Sequence, residues 1–298
     1  MGKAMRLKGD LDDVEALLEI ISVLRDVSTN RFYQFSQRKT NYTSFLEAFL
    51  DYFGMIGNVD TKCPLVKNDN PNVDLLVIAS DLGFMSQLNG RVGSAAFKEY
   101  QKYPRINAIC LGKRASDKMK GLGMQFEKIF TLNEIPDRYE MALQIREYLV
   151  GRMLRGESGK AIVVYLWAKT FSILKPRVVT LLPASELLAG EEEDADGVVQ
   201  ARQGGPATAK KEKFILESSI DHLMRGLADI WVHSRLYEMI NDLQLVEFAA
   251  QSQQLESAIE GLSSEKKALT VSVRKATREE LNKAIREVFT QVAMMKRR

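Results

Sequence analysis

Cysteine and histidine are scarce in this chain, and their positions exclude several kinds of site. The two cysteines, Cys63 and Cys110, lie far apart, and His222 and His233 would be about three turns apart on a helix. This spacing supports neither a disulfide framework nor a zinc site, and the two histidines cannot share one metal ion. No histidine precedes His222, so the middle of the chain lacks a base for a Cys or Ser nucleophile. We therefore expect no metal, no cofactor and no catalytic residue of its own.

The chain also lacks a strong charge excess and a long apolar run. Its 42 basic and 39 acidic residues give a net charge of +3, far from the concentrated excess of a nucleic-acid-binding protein. The longest apolar runs, such as residues 161–167, are much shorter than a membrane span, and the acidic start is unlike a signal peptide. We expect neither a nucleic-acid partner nor direct membrane insertion.

Proline is absent from both ends of the chain. None occurs in residues 7–53 or after Pro206, where only Gly226 and Gly261 interrupt strong helix formers. Because proline in a helix interior costs about 3 kcal/mol, such a stretch predicts a very long helix. Eighty helical residues would reach roughly 120 Å, longer than any domain that the remaining chain could build. We expect this helix to project.

Large apolar residues recur every three or four positions in both terminal segments, which favours pairing of the two ends as an antiparallel coiled coil. In the N-terminal segment, this apolar seam allows a helix break near the polar residues 38–43. In the C-terminal segment, the seam has large apolar residues over 216–243 and fewer of them, among polar residues, over 249–280. The last turns regain apolar residues at Leu281, Ile285, Val288, Phe289 and Val292.

The middle of the chain has the pattern of an α/β domain. Short buried-strand patterns alternate with helical ones, which predicts a small, open, Rossmann-like sheet with at least partly parallel strands. The predicted domains are an N-terminal coiled-coil helix at 1–57, a central α/β domain at 58–213 and a C-terminal coiled-coil helix at 214–298. Within the second, residues 190–213 predict an acidic, solvated loop. The predicted strands cover residues 73–80, 106–111, 126–130, 161–167 and 178–182.

Neither candidate phosphate loop fits a nucleotide-binding motif. The turn after the first strand has only Gly83 and Gly90, which does not match G-x-G-x-x-G. Residues 156–161, GESGKA, lack the first glycine and the hydroxyl of a P-loop and precede a strand instead of following one. Asp81, at a strand end, has the position of a turn-capping residue.

That same turn resembles a family motif. Residues 80–89, SDLGFMSQLN, match S/T-D-R-G-L-C-G-x-x-N at Ser80, Asp81, Gly83 and Asn89, and residues 181–183 match L-L-P. In these motifs the chain is similar to the γ subunit of F-type ATP synthases, the central rotary shaft. The family's helix patterns align without gaps and keep a further set of residues: Leu11, Val14, Ile20, Val27, Arg31, Glu247, Ala249, Ala250, Leu281, Glu287 and Val288.

The resemblance implies a non-catalytic rotor. Its coiled coil would lie inside a hexamer of alternating α and β subunits, and its α/β domain would rest on the membrane c-ring beside the ε subunit. The chain would then be a peripheral membrane protein on the cytoplasmic face, or on the matrix or stromal equivalent. By family position, the contacts with the hexamer would be made by Arg31, Arg274, Lys275, Thr277 and Arg278.

Two other functions remain open at this point. A coiled-coil adaptor could keep the γ architecture without rotating, and the α/β domain could be a small-molecule enzyme with helical arms. An adaptor would not associate with α, β and c subunits, and an enzyme would bind or convert a small molecule by itself.

Overall fold

A computed structural model describes residues 2–56, 62–132, 137–184, 191–193, 198–201 and 219–295. The chain forms two compact units, of which one contains Met1–Arg31 and Gln251–Arg298 and the other contains Phe32–Ala250. No helix in the described part combines the length and the apolarity needed to cross a membrane.

The long helices predicted at the two ends are present as α1, Lys3–Ile56, and α5, Ile220–Met295. The break allowed near residues 38–43 was wrong, because α1 runs through them without interruption. These residues include no proline or glycine, so nothing in their sequence interrupts the backbone hydrogen bonds of the helix.

The unit Phe32–Ala250 is built on a mixed sheet with the strand order β3-β2-β1-β4-β5-β7-β6. The four strands β1 to β4 are mutually parallel, and β5 is antiparallel to β4. Helices α2, Ser86–Lys102, α3, Lys113–Lys120, and α4, Arg138–Leu154, connect the parallel strands. The strands are β1, Val73–Ile78; β2, Ile106–Leu111; β3, Phe126–Phe130; β4, Lys160–Ala168; β5, Leu174–Leu182; β6, Glu191–Glu193; and β7, Val198–Ala201.

All five predicted strands are confirmed, and the sheet has two more. β6 and β7 lie inside residues 190–213, where the sequence predicted a loop. β7 pairs with β5, which would otherwise be an edge strand with unpaired backbone groups. The backbone of β5 gives β7 a hydrogen-bonding partner, and the acidic composition of residues 190–213 contains no sign of that partner. The other residues of the predicted loop lie outside the described part of the chain.

The core covers both faces of the sheet. β1 is fully buried, and its alternate residues Leu76 and Ile78 pack with α4 and with α5 residues 224–243. Leu75 and Val77 face the other way and pack with α2, α3 and α5 residues 245–249. The sequence indicated that the apolar first half of α5 needs a partner helix. In the structure, the sheet face and α4 bury much of that half.

The unit Met1–Arg31 with Gln251–Arg298 is an antiparallel helix pair, as predicted. Thr29 contacts Ser252 at 2.9 Å between hydroxyls, Arg25 contacts Glu256 at 2.9 Å, and Glu15 contacts Lys266 at 3.1 Å. From one contact to the next, the residue number falls on α1 by as much as it rises on α5. The two helices therefore keep one register over these three contacts. Near the start of α1, the Ala4 backbone N–H donates to Glu280 at 3.0 Å.

Burial in this unit follows a heptad repeat on both helices. The less exposed positions alternate spacings of three and four residues, which is the pattern of a coiled-coil seam. On α1 they are residues 4, 7, 11, 14, 18, 21, 25 and 28, and on α5 they are residues 252, 255, 259, 262, 266, 269, 273 and 276. At three of these seam positions, Arg25, Ser252 and Lys266, the side chain makes a polar contact with the opposite helix. Such polar contacts fix a register at some loss of stability.

The seam gives a direct test of the pairing. Leu262→Asp would place an unpaired carboxylate in the seam and is expected to destabilise the chain by about 2 to 3 kcal/mol. Val271 lies outside the seam and is 65% exposed, so Val271→Asp should change stability by about 0.5 kcal/mol or less. Thermal melts followed by helical circular dichroism measure both. Equal effects of the two substitutions would contradict the heptad assignment.

Candidate interaction surface

The first and last residues of the predicted turn motif after β1 are hydrogen-bonded to each other. The Ser80 N–H donates to Asn89 Oδ1 at 3.2 Å, and Asn89 Nδ2 donates to the Ser80 carbonyl oxygen at 2.7 Å. Both residues are buried. The Leu82 N–H donates to Ser80 Oγ at 3.1 Å. The structure therefore brings together the first and last residues of the motif, and their contacts position the turn.

Asp81 caps a helix in a different part of the sequence. Its Oδ1 accepts a hydrogen bond from the Arg114 N–H at 2.8 Å, which satisfies one of the free backbone donors in the first turn of α3. The predicted capping role is thus found on a neighbouring helix. A Cβ at Gly83 would lie 3.3 Å from the Arg114 guanidinium, so this glycine gives Arg114 room over the turn.

Helix α5 occupies the place where open α/β sheets usually bind ligands. That place is the crevice at the carboxyl ends of the strands where the chain reverses its winding direction, which here lies between β1 and β4. Ser80, just after β1, donates its hydroxyl to Glu247 Oε1 of α5 at 2.5 Å. Val246 and Ala249 of the same helix are completely buried in the core beside β1 and β4. Helix α5 of this chain therefore occupies the crevice in which other open α/β sheets bind a ligand.

Glu247 is a half-buried ionisable residue at this crevice. Burial raises its pKa, and the Ser80 hydrogen bond and the positive charge of Arg138 oppose that rise. Burial also lowers the pKa of the Arg138 guanidinium, an effect opposed by Glu247. Glu247 therefore joins α5 to the turn motif by a hydrogen bond, and its charge interacts with that of Arg138 at the start of α4.

Four of the five predicted contact residues lie together on the coiled coil. Arg274, Lys275, Thr277 and Arg278 are exposed within two turns of α5. The Thr277 hydroxyl donates to the Val273 carbonyl oxygen at 2.9 Å, a bond within its own helix. Arg31 is also exposed, but it lies roughly 37 Å from this group along the helix pair. The five residues therefore do not form one site.

The register adds three cations from α1 to this group. Because α1 and α5 run antiparallel, the first two turns of α1 lie level with α5 residues 271–278. Residues 3–9 and 272–278 contain no carboxylate, and Asp10, Glu279 and Glu280 border them. All six side chains are exposed, and none forms an ion pair with a described residue. We call this set the basic collar: Lys3, Arg6, Lys8, Arg274, Lys275 and Arg278.

Beyond the collar, α5 continues without α1. Helix α1 begins at Lys3, at the level of the α5 turn that precedes Glu280. Every described side chain of α5 from Thr277 to Val292 is exposed. Large apolar residues at heptad spacing make a single stripe on this segment and are 44–79% exposed. We call the stripe the apolar tip: Leu281, Ile285, Val288, Phe289, Val292 and Met295. An apolar patch of this size marks a surface that another molecule covers.

Sequence reasoning missed Lys3, Arg6 and Lys8 as members of the surface. Their charges were visible, but their level relative to Arg274 depends on the register of the two helices. Glu247 was visible as a match to the family pattern and was not selected as a site residue. The signal that could have identified it is a single carboxylate among the apolar residues of 245–250.

Comparisons with known proteins agree with this architecture. The family model described as ATP synthase matches residues 3–293. The ATP synthase gamma chain of Helicobacter acinonychis (strain Sheeba) is 24% identical over 229 residues, which cover 75% of this chain and 72% of the relative.

Two solved structures share the fold. One is a chain from the OSCP, F1 and c-ring of the Euglena gracilis mitochondrial ATP synthase, with a TM-score of 0.59, 13% identity, and coverage of 98% of this chain and 94% of that chain. The other is a chain from the rotor of the same complex, with a TM-score of 0.54, 16% identity, and coverage of 93% and 98%.

The half-buried carboxyl of Glu247 predicts a pH-dependent effect on stability. Because the folded-state pKa of Glu247 is raised, the group contributes most stability at low pH and loses that contribution as the pH rises through the folded pKa. Glu247→Gln keeps an acceptor for Ser80 and removes the charge. The variant should melt at a higher temperature than the wild type at pH 7, and the difference should vanish near pH 4.

Calorimetry across this pH range measures the difference. The control is Glu260→Gln, which removes a carboxylate from an exposed position of the same helix. A lower melting temperature for Glu247→Gln at pH 7 would show that charge pairing outweighs burial.

Proposed function

The chain belongs to the ATP synthase family, and on that basis we propose that it is the central-stalk rotor, a γ or γ-like subunit, of an F-type ATP synthase. In this function it couples ion translocation through the c-ring to conformational cycling of the catalytic α/β hexamer. In this function the subunit catalyses no reaction and transmits rotation. It therefore needs a stiff shaft that the hexamer encloses and a base that binds the c-ring.

The apolar tip is the observation that carries this proposal. A single helix with a stripe of exposed Leu, Ile, Val, Phe and Met side chains is unfavourable in water and needs a cover. A ring of subunits around the shaft covers such a helix on all sides. It can do so without gripping one orientation, because apolar contacts are not directional.

The basic collar supplies the charged contacts of the same shaft. We infer that acidic loops of the hexamer bind at this level, with Arg274, Lys275 and Arg278 as contacts and Thr277 between them. Arg31 would meet a different part of the hexamer, because it lies near the other end of the helix pair. Charges at a wet, moving contact steer the partner and fix its position more than they add affinity.

We place the α/β unit on the c-ring beside the ε subunit, with the complex on the cytoplasmic face of the membrane or its matrix or stromal equivalent. The relatives named gamma chains and the neighbours from F1, c-ring and rotor structures support this placement. The chain is then membrane-associated through its partners.

The filled crevice weighs against the enzyme alternative. A small-molecule enzyme on this sheet would use the carboxyl ends of β1 and β4, where Glu247, Val246 and Ala249 already pack. A ligand could enter only if α5 left the core of its own unit.

Purification from native membranes tests the rotor directly. A tag on this chain should recover α, β and c subunits in a complex with ATPase activity, and a nucleotide titration of the isolated chain should show no binding. Recovery of the chain without those subunits would overturn the rotor and leave the adaptor.

Charge reversal in the collar tests the contact residues. Arg274→Glu with Arg278→Glu should lower ATP-driven ion pumping about fivefold or more, because like charges would face the acidic loops. Raising the ionic strength should reduce the difference. The matched control, Lys98→Glu with Lys175→Glu, makes the same charge change on exposed residues of the α/β unit. Equal pumping by both variants would exclude the collar as a contact.

A further inference from the structure

The turn of the β4–β5 hairpin contains a phenylalanine that the turn itself does not need. The turn covers residues 169–173, and the Lys169 N–H donates to the Ile173 carbonyl oxygen at 3.0 Å. Turns favour Gly, Pro, Asn, Asp and Ser, because these residues supply the backbone angles or the side-chain hydrogen bonds that turns require. The ring of Phe171 supplies neither, so its contacts with other side chains are what this position offers.

The Phe171 ring contacts two rings of α1. Its centroid lies 5.1 Å from that of Phe32, with the ring planes at 83°. Its centroid lies 6.2 Å from that of Tyr33, with the planes 11° apart, and Phe32 and Tyr33 meet edge to face at 5.5 Å. Edge-to-face and stacked pairs at such distances are the favourable arrangements of aromatic side chains. We call these three residues the aromatic brace: Phe32, Tyr33 and Phe171.

The aromatic brace fixes α1 to a stiff part of the sheet. Phe32 is 6% exposed and is the buried side chain among α1 residues 32–37. It packs in the same core cluster as Leu166 and Leu174, which lie near the ends of β4 and β5 that the turn joins. These two strands are paired along their length. Because a close-packed interior transmits strain instead of absorbing it, a force on the sheet reaches α1 through these contacts.

We propose that Phe171 is a positioning residue for rotation, through which the sheet holds α1 against twisting. Helix α5 is anchored to the sheet by the buried side chains of residues 224–249. Helix α1 has its own anchor at the aromatic brace, and it continues from there without interruption to Lys3. Torque on the α/β unit therefore enters both helices. Without the Phe171 ring, α1 would follow α5 alone. The inference rests on the proposed function, which supplies the torque.

Hydrogen–deuterium exchange of the isolated chain tests the anchor. Phe171→Ala should speed exchange of the α1 backbone around Phe32 by about tenfold, because the helix would open locally without the ring. The matched control is Ile173→Ala, which removes a large apolar side chain that is 44% exposed in the same turn and lies outside the aromatic brace. The control should leave exchange in α1 unchanged. Equal exchange around Phe32 in the two variants would overturn the proposal.

The assembled complex in lipid vesicles tests the mechanical role. With Phe171→Ala, ATP hydrolysis in the absence of an ion gradient should stay within about twofold of the wild type, because little load acts on the shaft. Ion pumping against an imposed gradient should fall by about threefold or more, because the load would twist a helix that the sheet no longer holds. Phe171→Tyr keeps the ring and should restore pumping, and Ile173→Ala should pump as the wild type does.

A role of Phe171 in folding alone would give a different result. Phe171→Ala would then lower the melting temperature and the yield of complex, while each assembled complex would pump as many ions per ATP as the wild type. That result would overturn the proposal. If Phe171→Ala does not assemble, Phe171→Leu replaces it in both assays, because leucine keeps much of the apolar volume without a ring. If the wild-type chain recovers no α, β or c subunits, the rotor proposal itself fails, and the exchange measurement still tests the anchor.

Discussion

The antiparallel register of α1 and α5 is the constraint on which the surface of this protein depends. Two heptad seams bring the helices together, and the contacts of Thr29, Arg25 and Glu15 with their partners hold them in one alignment. A shift of one heptad would break these contacts while leaving apolar residues facing each other. The polar contacts thus choose among alignments that the apolar seam alone would tolerate.

This alignment determines which residues act together at the surface. It places the cations at the start of α1 level with those of α5 and leaves the last turns of α5 without a partner helix. The collar and the tip are therefore consequences of one choice of register. For a shaft that turns inside other subunits, an alignment fixed by polar contacts also limits sliding of one helix along the other.

Helix α5 has a second function inside the α/β unit. Its residues 224–243 complete the core on one face of the sheet, and its residues 245–249 complete the core on the other face. Between them the helix passes the carboxyl ends of β1 and β4, and Glu247 joins it to the turn motif. Other α/β folds bind a ligand in this crevice, and here it holds a helix. The turn motif after β1 therefore positions α5 and lacks the glycine pattern of a phosphate-binding loop.

The sequence by itself determined the elements. Proline-free stretches with helical spacing predicted both long helices and their pairing, and short apolar runs predicted five strands, because these signals depend only on neighbouring residues along the chain. It also contained the motif at Ser80 to Asn89 through which the family resemblance was recognised. The tertiary structure alone decided that Asp81 caps α3, that Glu247 accepts a hydrogen bond from Ser80, that β7 pairs with β5 and that Lys3, Arg6 and Lys8 lie level with Arg274. Each of these depends on two segments distant in sequence meeting at a particular register, and local periodicity carries no information about that register.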